Sequence, residues 1–245
     1  MKQVNKSVNA ENRAAAIREM FSAIAPRYDF LNRLLSLGID QSWRRTLVRM
    51  ALTSRRGPFL DVACGTGDVA LALRAKAPRV EIVGVDFSPE MLELARKKSA
   101  AAGAGLQLRG AAAEALPFAD NYFELLTIAF GIRNVVDREQ ALAEFYRVLK
   151  PGGRLAVLEF SQLEPGILEK LYNFYFFQVL PLVGGLFSRA GAYRYLPESV
   201  AAFPSRPEFA GLIRDAGFVN CRYHELTFGV AALYLAEKVE SASIT

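Results

Sequence analysis

One histidine, two cysteines and one tryptophan in 245 residues narrow the chemistry at once. His224 alone cannot build a His-rich metal centre, and Cys64 and Cys221 are too far apart for a metal-ligand spacing or a disulfide framework, so no metal is expected. The first twenty residues hold no apolar core, so no signal peptide is expected, and the scarcity of cysteine fits a reduced, cytoplasmic setting. No apolar run is long enough to cross a bilayer. The nearest, 171–187, contains Asn173 and Gln178 and is broken by Pro181 and Gly184-Gly185, whereas a spanning helix needs roughly 20 mainly apolar residues. A dense basic track is also missing. The net charge of +5 and pI near 9.3 arise from scattered residues, and clusters such as Arg44-Arg45, Arg55-Arg56 and Arg96-Lys97-Lys98 read as solvated helix faces. The pI favours anionic partners in general, but no nucleic-acid partner is expected without a continuous basic stripe.

What is present is a chain 52% hydrophobic and 22% charged, enough for one large α/β domain. Residues 1–12 are polar and expected to be disordered. Residues 13–52 carry apolar residues at spacings of three and four (Ile17, Met20, Phe21, Ile24; Leu31, Leu34, Leu35; Trp43, Leu47, Met50), predicting two or three helices, divided near Pro26 and Gly38, outside the sheet. A regular alternation follows over 58–160. Strands are predicted at 59–63, 80–86, 106–110, 123–129 and 154–160, with helices at 68–75, from the Ser88 cap with Pro89 in its first turn, and at 138–149, where Pro151-Gly152-Gly153 ends the last. Residues 161–203 form an aromatic-rich insertion. A helix at 206–216 and two strands, 219–226 and 231–237, close the domain, the strands pairing as an antiparallel hairpin at a sheet edge. Alternating strands and helices imply a mostly parallel sheet covered on both faces.

The run Leu60-Asp61-Val62-Ala63-Cys64-Gly65-Thr66-Gly67 is a buried strand emptying into a glycine loop, and Val83-Gly84-Val85 ends in Asp86 at the next strand tip. Gly65 and Gly67 let a ligand lie against bare backbone, and Asp86 can accept bonds from both ribose hydroxyls; together they describe an adenosine site. Three cofactors compete for it. Gly65-x-Gly67-x-x-Ala70 satisfies a dinucleotide fingerprint, and Tyr146-x-x-x-Lys150 has the spacing of short-chain dehydrogenases. Lys150, however, runs straight into Pro-Gly-Gly, and Tyr146 reads as a core aromatic. A phosphate-binding P-loop needs Lys-Ser or Lys-Thr after the second glycine, which is absent.

S-adenosylmethionine fits better. Asp61–Gly67 resembles motif I of the class I methyltransferases, Asp86 their ribose-binding acid, Ala112-Ala113-Glu114 before Leu116-Pro117-Phe118 their adenine segment, and Leu149–Gly153 their turn before strand five. Two further stretches, 28–43 (Tyr28-Asp29-Phe30-Leu31-Asn32 through Gly38 to Trp43) and 127–134 (ending Phe130-Gly131-Ile132-Arg133-Asn134), resemble the two signatures of the menaquinone/ubiquinone biosynthesis C-methyltransferases, the UbiE/MenG family. Leu158-Glu159-Phe160-Ser161, Tyr193-Arg194-Tyr195 and Ala216-Gly217-Phe218 continue the likeness across about 18–238.

The resemblance implies a seven-stranded, mostly parallel class I methyltransferase sheet with a C-terminal antiparallel hairpin and an N-terminal helical cover. It implies methyl transfer from S-adenosylmethionine to a ring carbon of a polyprenylated hydroquinone, with demethylmenaquinol preferred and a methoxy-benzoquinol precursor equally compatible. It carries cofactor binding to Asp61, Gly65, Thr66, Gly67, Asp86, Phe87, Ala112, Ala113 and Ala129. Ala112 stands where the family usually has Asn or Asp, and Ala129 where it often has Ser, so two side-chain contacts are absent. Asp40 replaces a customary His and receives no role.

An aromatic carbon becomes nucleophilic beside a phenolate, so the enzyme must align the reactants and help ionise a hydroxyl. Arg133 is a candidate to stabilise that phenolate, and Asn134, Tyr28, Asp29 and Asn32 to orient the ring or accept a proton through water. The plainer alternatives are a carboxylate partner for Arg133 and a capping or packing role for Tyr28-Asp29-Asn32. The aromatics of 171–187 (Tyr172, Phe174, Tyr175, Phe176, Phe177) suit a polyprenyl channel or core packing equally well. Lys170, Arg189 and Arg194 near them suggest transient contact with an anionic membrane surface. Methylation of another phenolic or lipid acceptor, RNA methylation and a non-catalytic cofactor-binding scaffold are the rival readings.

Overall fold

The computed structural model describes residues 12, 15–25, 28–36, 38–52, 56–166, 170 and 191–240. The segment 171–187 and the start of the chain, to which a channel and disorder are ascribed above, lie outside the described residues. Residues 15–24 are helical, followed by α1 (Tyr28–Leu35) and α2 (Ile39–Ala51). Then come β1 (Phe59–Val62), α3 (Asp68–Lys76), β2 (Ile82–Asp86), α4 (Pro89–Ala101), β3 (Gln107–Gly110), β4 (Phe123–Ala129), a 3₁₀ turn (Ile132–Asn134), α5 (Arg138–Val148) and β5 (Leu149–Phe160). The last elements are α6 (Gly191–Ala201), α7 (Arg206–Asp215), β6 (Val219–Leu226) and β7 (Ala231–Glu237).

The strands form one sheet in the order β3-β2-β1-β4-β5-β7-β6. β1 is parallel to β2 and β4, β2 to β3, and β4 to β5, whereas β7 runs antiparallel to both β5 and β6. β1 and β2 are buried at every position, as central parallel strands must be, and β6 is mostly exposed, as an edge strand is. Leu142, Phe145, Phe209 and Ile213 pack on one side of the sheet in one apolar cluster; Trp43, Leu47, Val69 and Leu73 join a second. Local signals set the helix starts. Ser88 Oγ accepts from Met91 N at 3.3 Å, Asp137 from Gln140 N at 3.0 Å, and Ser205 and Glu208 form a capping box.

One boundary is corrected. Pro151-Gly152-Gly153 does not separate a helix from a strand beginning at Arg154: β5 already starts at Leu149, which pairs with Phe123, and its register shifts before Arg154 meets Leu125. Glycine permits this bulge. Gly152 has φ +71°, and a Cβ on Gly153 would come within 2.7 Å of the Lys150 carbonyl oxygen.

The sheet reverses its winding between β1 and β4, where α/β sheets bind ligands beyond the carboxyl ends of the strands.

Candidate active site at the sheet switch point

Backbone strain gathers at that edge. Ala63 after β1 and Phe130 after β4 both have positive φ, at 50° and 58°, a conformation costing a non-glycine residue about 1–3 kcal/mol. A Cβ on Gly131 would lie 2.6 Å from the Ala63 Cβ, so the two strand tips touch through a missing side chain. Beside them opens a cavity of about 590 Å³ lined by Ala63, Phe87, Ala112, Ala113, Gly131 and Asn134, with Ile17, Arg18 and Ser22 of the N-terminal helix closing it from above. The size suits a ligand of nucleoside dimensions. Phe21 of the same helix meets Tyr28 and Phe87 edge-on at 6.0 and 6.5 Å, so the helical cover rests on the cavity wall.

Two buried carboxylates underlie the glycine loop. Asp86 accepts from Gly65 N at 2.8 Å and from Ser88 N at 2.9 Å; burial raises its pKa against those bonds. With a further backbone bond from Phe87, one acceptor site of the carboxylate remains, so the same group that shapes the loop can still receive a ribose hydroxyl. Asp61, only 1% exposed, accepts from Thr127 Oγ1 at 2.7 Å, and the Ala70 backbone N–H approaches it, while its Oδ2 makes no full hydrogen bond among the described residues. Burial drives its pKa up to about 7, the Thr127 bond opposing. An orphaned carboxylate oxygen is an acceptor waiting for a donor or a cation.

Thr66 is tied elsewhere. Its hydroxyl donates to Asp29 Oδ1 at 2.7 Å and accepts from Lys98 Nζ at 2.9 Å, and Lys98 also bonds Asp29 Oδ2 at 2.8 Å and Asp68. Burial raises the Asp29 pKa, but bonds from Lys98 and Thr66 and the charge of Lys98 outweigh it, leaving the carboxyl below its usual range. Both oxygens of Asp29 are thereby engaged, one by the Thr66 hydroxyl and one by the Lys98 ammonium. The expectation for the Arg96-Lys97-Lys98 and Arg44-Arg45 clusters is corrected. Lys97 is 69% exposed as a solvated residue should be, but Lys98 is drawn into this network, and Arg44 pairs with the buried Asp40.

Arg133 has the carboxylate partner that was its plainer alternative. It is 6% exposed, its Nη1 bonds Glu159 Oε1 at 2.8 Å and the Phe130 carbonyl, and Glu159 is fully buried. The guanidinium packs over the Phe160 ring, 5.4 Å from its centre. Its neighbour Asn134 does reach the cavity. Asn134 Oδ1 accepts from the Tyr195 hydroxyl at 2.9 Å and its Nδ2 points to the Phe130 carbonyl. Tyr28 and Asn32 lie one turn apart on α1, half-buried. Ala129 is half-buried at the tip of β4.

The family model described as the ubiE/COQ5 methyltransferase family matches residues 6–238. The chain belongs to that family. A ubiquinone/menaquinone biosynthesis C-methyltransferase UbiE of Geotalea daltonii is 55% identical over 225 residues, 91% of this chain and 96% of that protein. A demethylmenaquinone methyltransferase of Thermus thermophilus is 53% identical over 220 residues, 89% of this chain and all of that one. Among solved structures, an S-adenosylmethionine-dependent methyltransferase of Thermotoga maritima, titled a possible histamine N-methyltransferase, is 25% identical with a TM-score of 0.64, covering 90% and 99% of the two chains.

S-adenosylmethionine is this ubiE/COQ5 chain's cofactor, and the residues present fit it. Asp86 lies where an adenosine site places its ribose acid, and Asp61, buried beneath the loop, adds a second acid of a kind that favours a cationic ligand nearby over an anionic one. Family membership separates the methyl donor from the dinucleotide that the glycine pattern alone allows. Ala112 and Ala113 line the cavity without side-chain acceptors, leaving adenine to the backbone there. The family resemblance includes the stretches holding Glu159 and Tyr195 but gives neither a role, and it includes neither Lys98 nor Asp68. Their contacts cross 30 to 69 residues of sequence for Lys98, 26 for Glu159 and 61 for Tyr195.

Proposed function

We propose that the protein transfers a methyl group from S-adenosylmethionine to a ring carbon of a polyprenylated hydroquinone, with demethylmenaquinol the preferred acceptor and a methoxy-benzoquinol precursor of ubiquinone compatible. The observation that carries this reading is the identity of 55% and 53%, spread over about nine-tenths of the chain, to the two proteins named for these reactions. When bound, the cofactor supplies an electrophilic methyl on a sulfonium centre. The chain's own residues do the rest. Gly65, Gly67 and Asp86 are assigned to the adenosine end, Asp61 to the positive end and Ala129 to the β4 tip beside them, and Phe87, Ala112 and Ala113 wall the cavity.

On the acceptor side, Tyr28, Asn32 and Asn134 are assigned to orienting the ring and a proton-carrying water. Asn134 enters with its carbonyl fixed by Tyr195 and its amide by Phe130. Arg133 is assigned to holding the strained Phe130 and its loop, because its charge is balanced by Glu159. An oxidised quinone lacks the electron-rich carbon, so the quinol is the acceptor. That acceptor is dissolved in lipid, which supports work at the cytoplasmic membrane face with transient contact; among the described residues no helix is long and apolar enough to cross a membrane.

Expression in a bacterium deleted for its own quinone methyltransferase tests the reading. Lipid extracts analysed by mass spectrometry are expected to regain methylated menaquinone. Accumulation of the demethyl form, with the protein present and folded, would refute it.

A further inference from the structure

We propose that Lys98 is a positioning residue for cofactor binding, latching the helical cover to the glycine loop through Asp29 and Thr66. This rests on the S-adenosylmethionine site described above. Lys98 projects from α4 and its ammonium has three donors, all engaged: Asp29 of α1, Thr66 of the loop, and Asp68 at the start of α3. Three separate elements therefore meet on one charge. The side chains of Lys98, Asp29 and Asp68 are 29%, 27% and 24% exposed, so the pairs are shielded compared with surface ion pairs such as Lys97–Glu93, at 69% and 55%. α4 is itself tied to the cofactor loop, since a Cβ on Gly67 would meet the Ala95 Cβ at 3.3 Å, and its cap Ser88 donates its backbone N–H to Asp86.

The donor and acceptor arithmetic fixes what Thr66 can do. Its one proton goes to Asp29, because an ionised carboxylate only accepts, and one lone pair takes a Lys98 proton. A single lone pair remains. The Thr66 hydroxyl therefore keeps acceptor capacity only, a role it holds as long as Asp29 and Lys98 are in place. Removing Asp29 frees the hydroxyl to turn and leaves α1 without its tie to the loop, whereas removing Lys98 keeps the Asp29–Thr66 bond but strips it of the neighbouring charge and of its link to α4 and Asp68.

Calorimetric titration of the full chain with S-adenosylmethionine, with no methyl acceptor present, tests this, so an error about the acceptor cannot imitate a failure here. Lys98→Met and Asp29→Asn are each expected to weaken affinity about tenfold, and the double variant to lose no more than the worse single one, as groups in one network do. Lys98→Arg should recover part of the loss, and Lys97→Met should bind like the parent. Methyl transfer by Lys98→Met at saturating cofactor should change about twofold or less, placing the effect in KM and not kcat. Unchanged affinity in Lys98→Met, or losses that simply add in the double variant, would overturn the proposal. A melting curve on each variant identifies any that fail to fold. Asp29→Asn lies on the cover outside the sheet, so it carries the test should Lys98→Met fail.

Discussion

Replacing Asp61 by asparagine isolates the electrostatic cost of a carboxylate sealed beneath the glycine loop. In the folded chain its pKa is pushed up to about 7, from an ordinary value of 3.8. Below pH 3.8 both folded and unfolded chains carry the proton and no pH dependence arises. Between 3.8 and 7 only the folded chain keeps it, so stability falls as pH rises; above 7 both are ionised and the whole penalty is present. Each pH unit between the two values is worth about 1.4 kcal/mol, giving an upper bound of about 4 kcal/mol. Asparagine keeps the acceptor for the Thr127 hydroxyl but never ionises, at the cost of a buried amide worth about 1–3 kcal/mol that is independent of pH. Urea unfolding of parent and variant at several pH values between 4 and 8 separates the two effects. The stability difference is expected to move by as much as about 4 kcal/mol in favour of the variant between pH 4 and pH 8. The same variant should bind S-adenosylmethionine less tightly, because an NH₂ donor now faces a cationic ligand where the free oxygen stood. A difference that stays constant with pH, or undiminished cofactor affinity, would refute the reasoning about this carboxylate.

Asp86→Ala removes the acceptor for two backbone N–H groups and for the ribose, and calorimetry should show cofactor affinity reduced by about 100-fold. Arg133→Met leaves Glu159 buried and unpaired, so denaturant unfolding should report a loss of about 3–5 kcal/mol, with cofactor affinity of the remaining folded protein within about threefold of the parent. Gly131→Ala forces a methyl against Ala63, and a combined stability and binding measurement should show a cost of about 1–3 kcal/mol together with weaker cofactor binding.

Much of the scaffold is legible in local pattern. The apolar runs of β4, β6 and β7 have the predicted limits, and Ser88-Pro89 starts α4 as a cap and first-turn proline do, because these are properties of neighbouring residues. The Pro-Gly-Gly turn misleads for a physical reason: a helix end and a β-bulge both require residues without a Cβ or an N–H, and only the pairing of Leu149 with Phe123 distinguishes them. At the site, the glycine loop and Asp86 are visible because one short stretch of backbone performs the recognition. The partners of Arg133, Thr66 and Asn134 are not, since they come from β5, α1 with α4, and α6, and no periodicity links residues that only the tertiary fold brings together. Asp29 is bonded by a lysine 69 positions away, a partner that no local pattern announces.

The most direct test of the central claim is methyl transfer from labelled S-adenosylmethionine to demethylmenaquinone in detergent, run with and without a reductant. Label is expected on the ring carbon only when the quinone has been reduced to the quinol. Transfer that ignores the redox state, or no transfer to the quinol by a protein that binds the cofactor, would contradict the account.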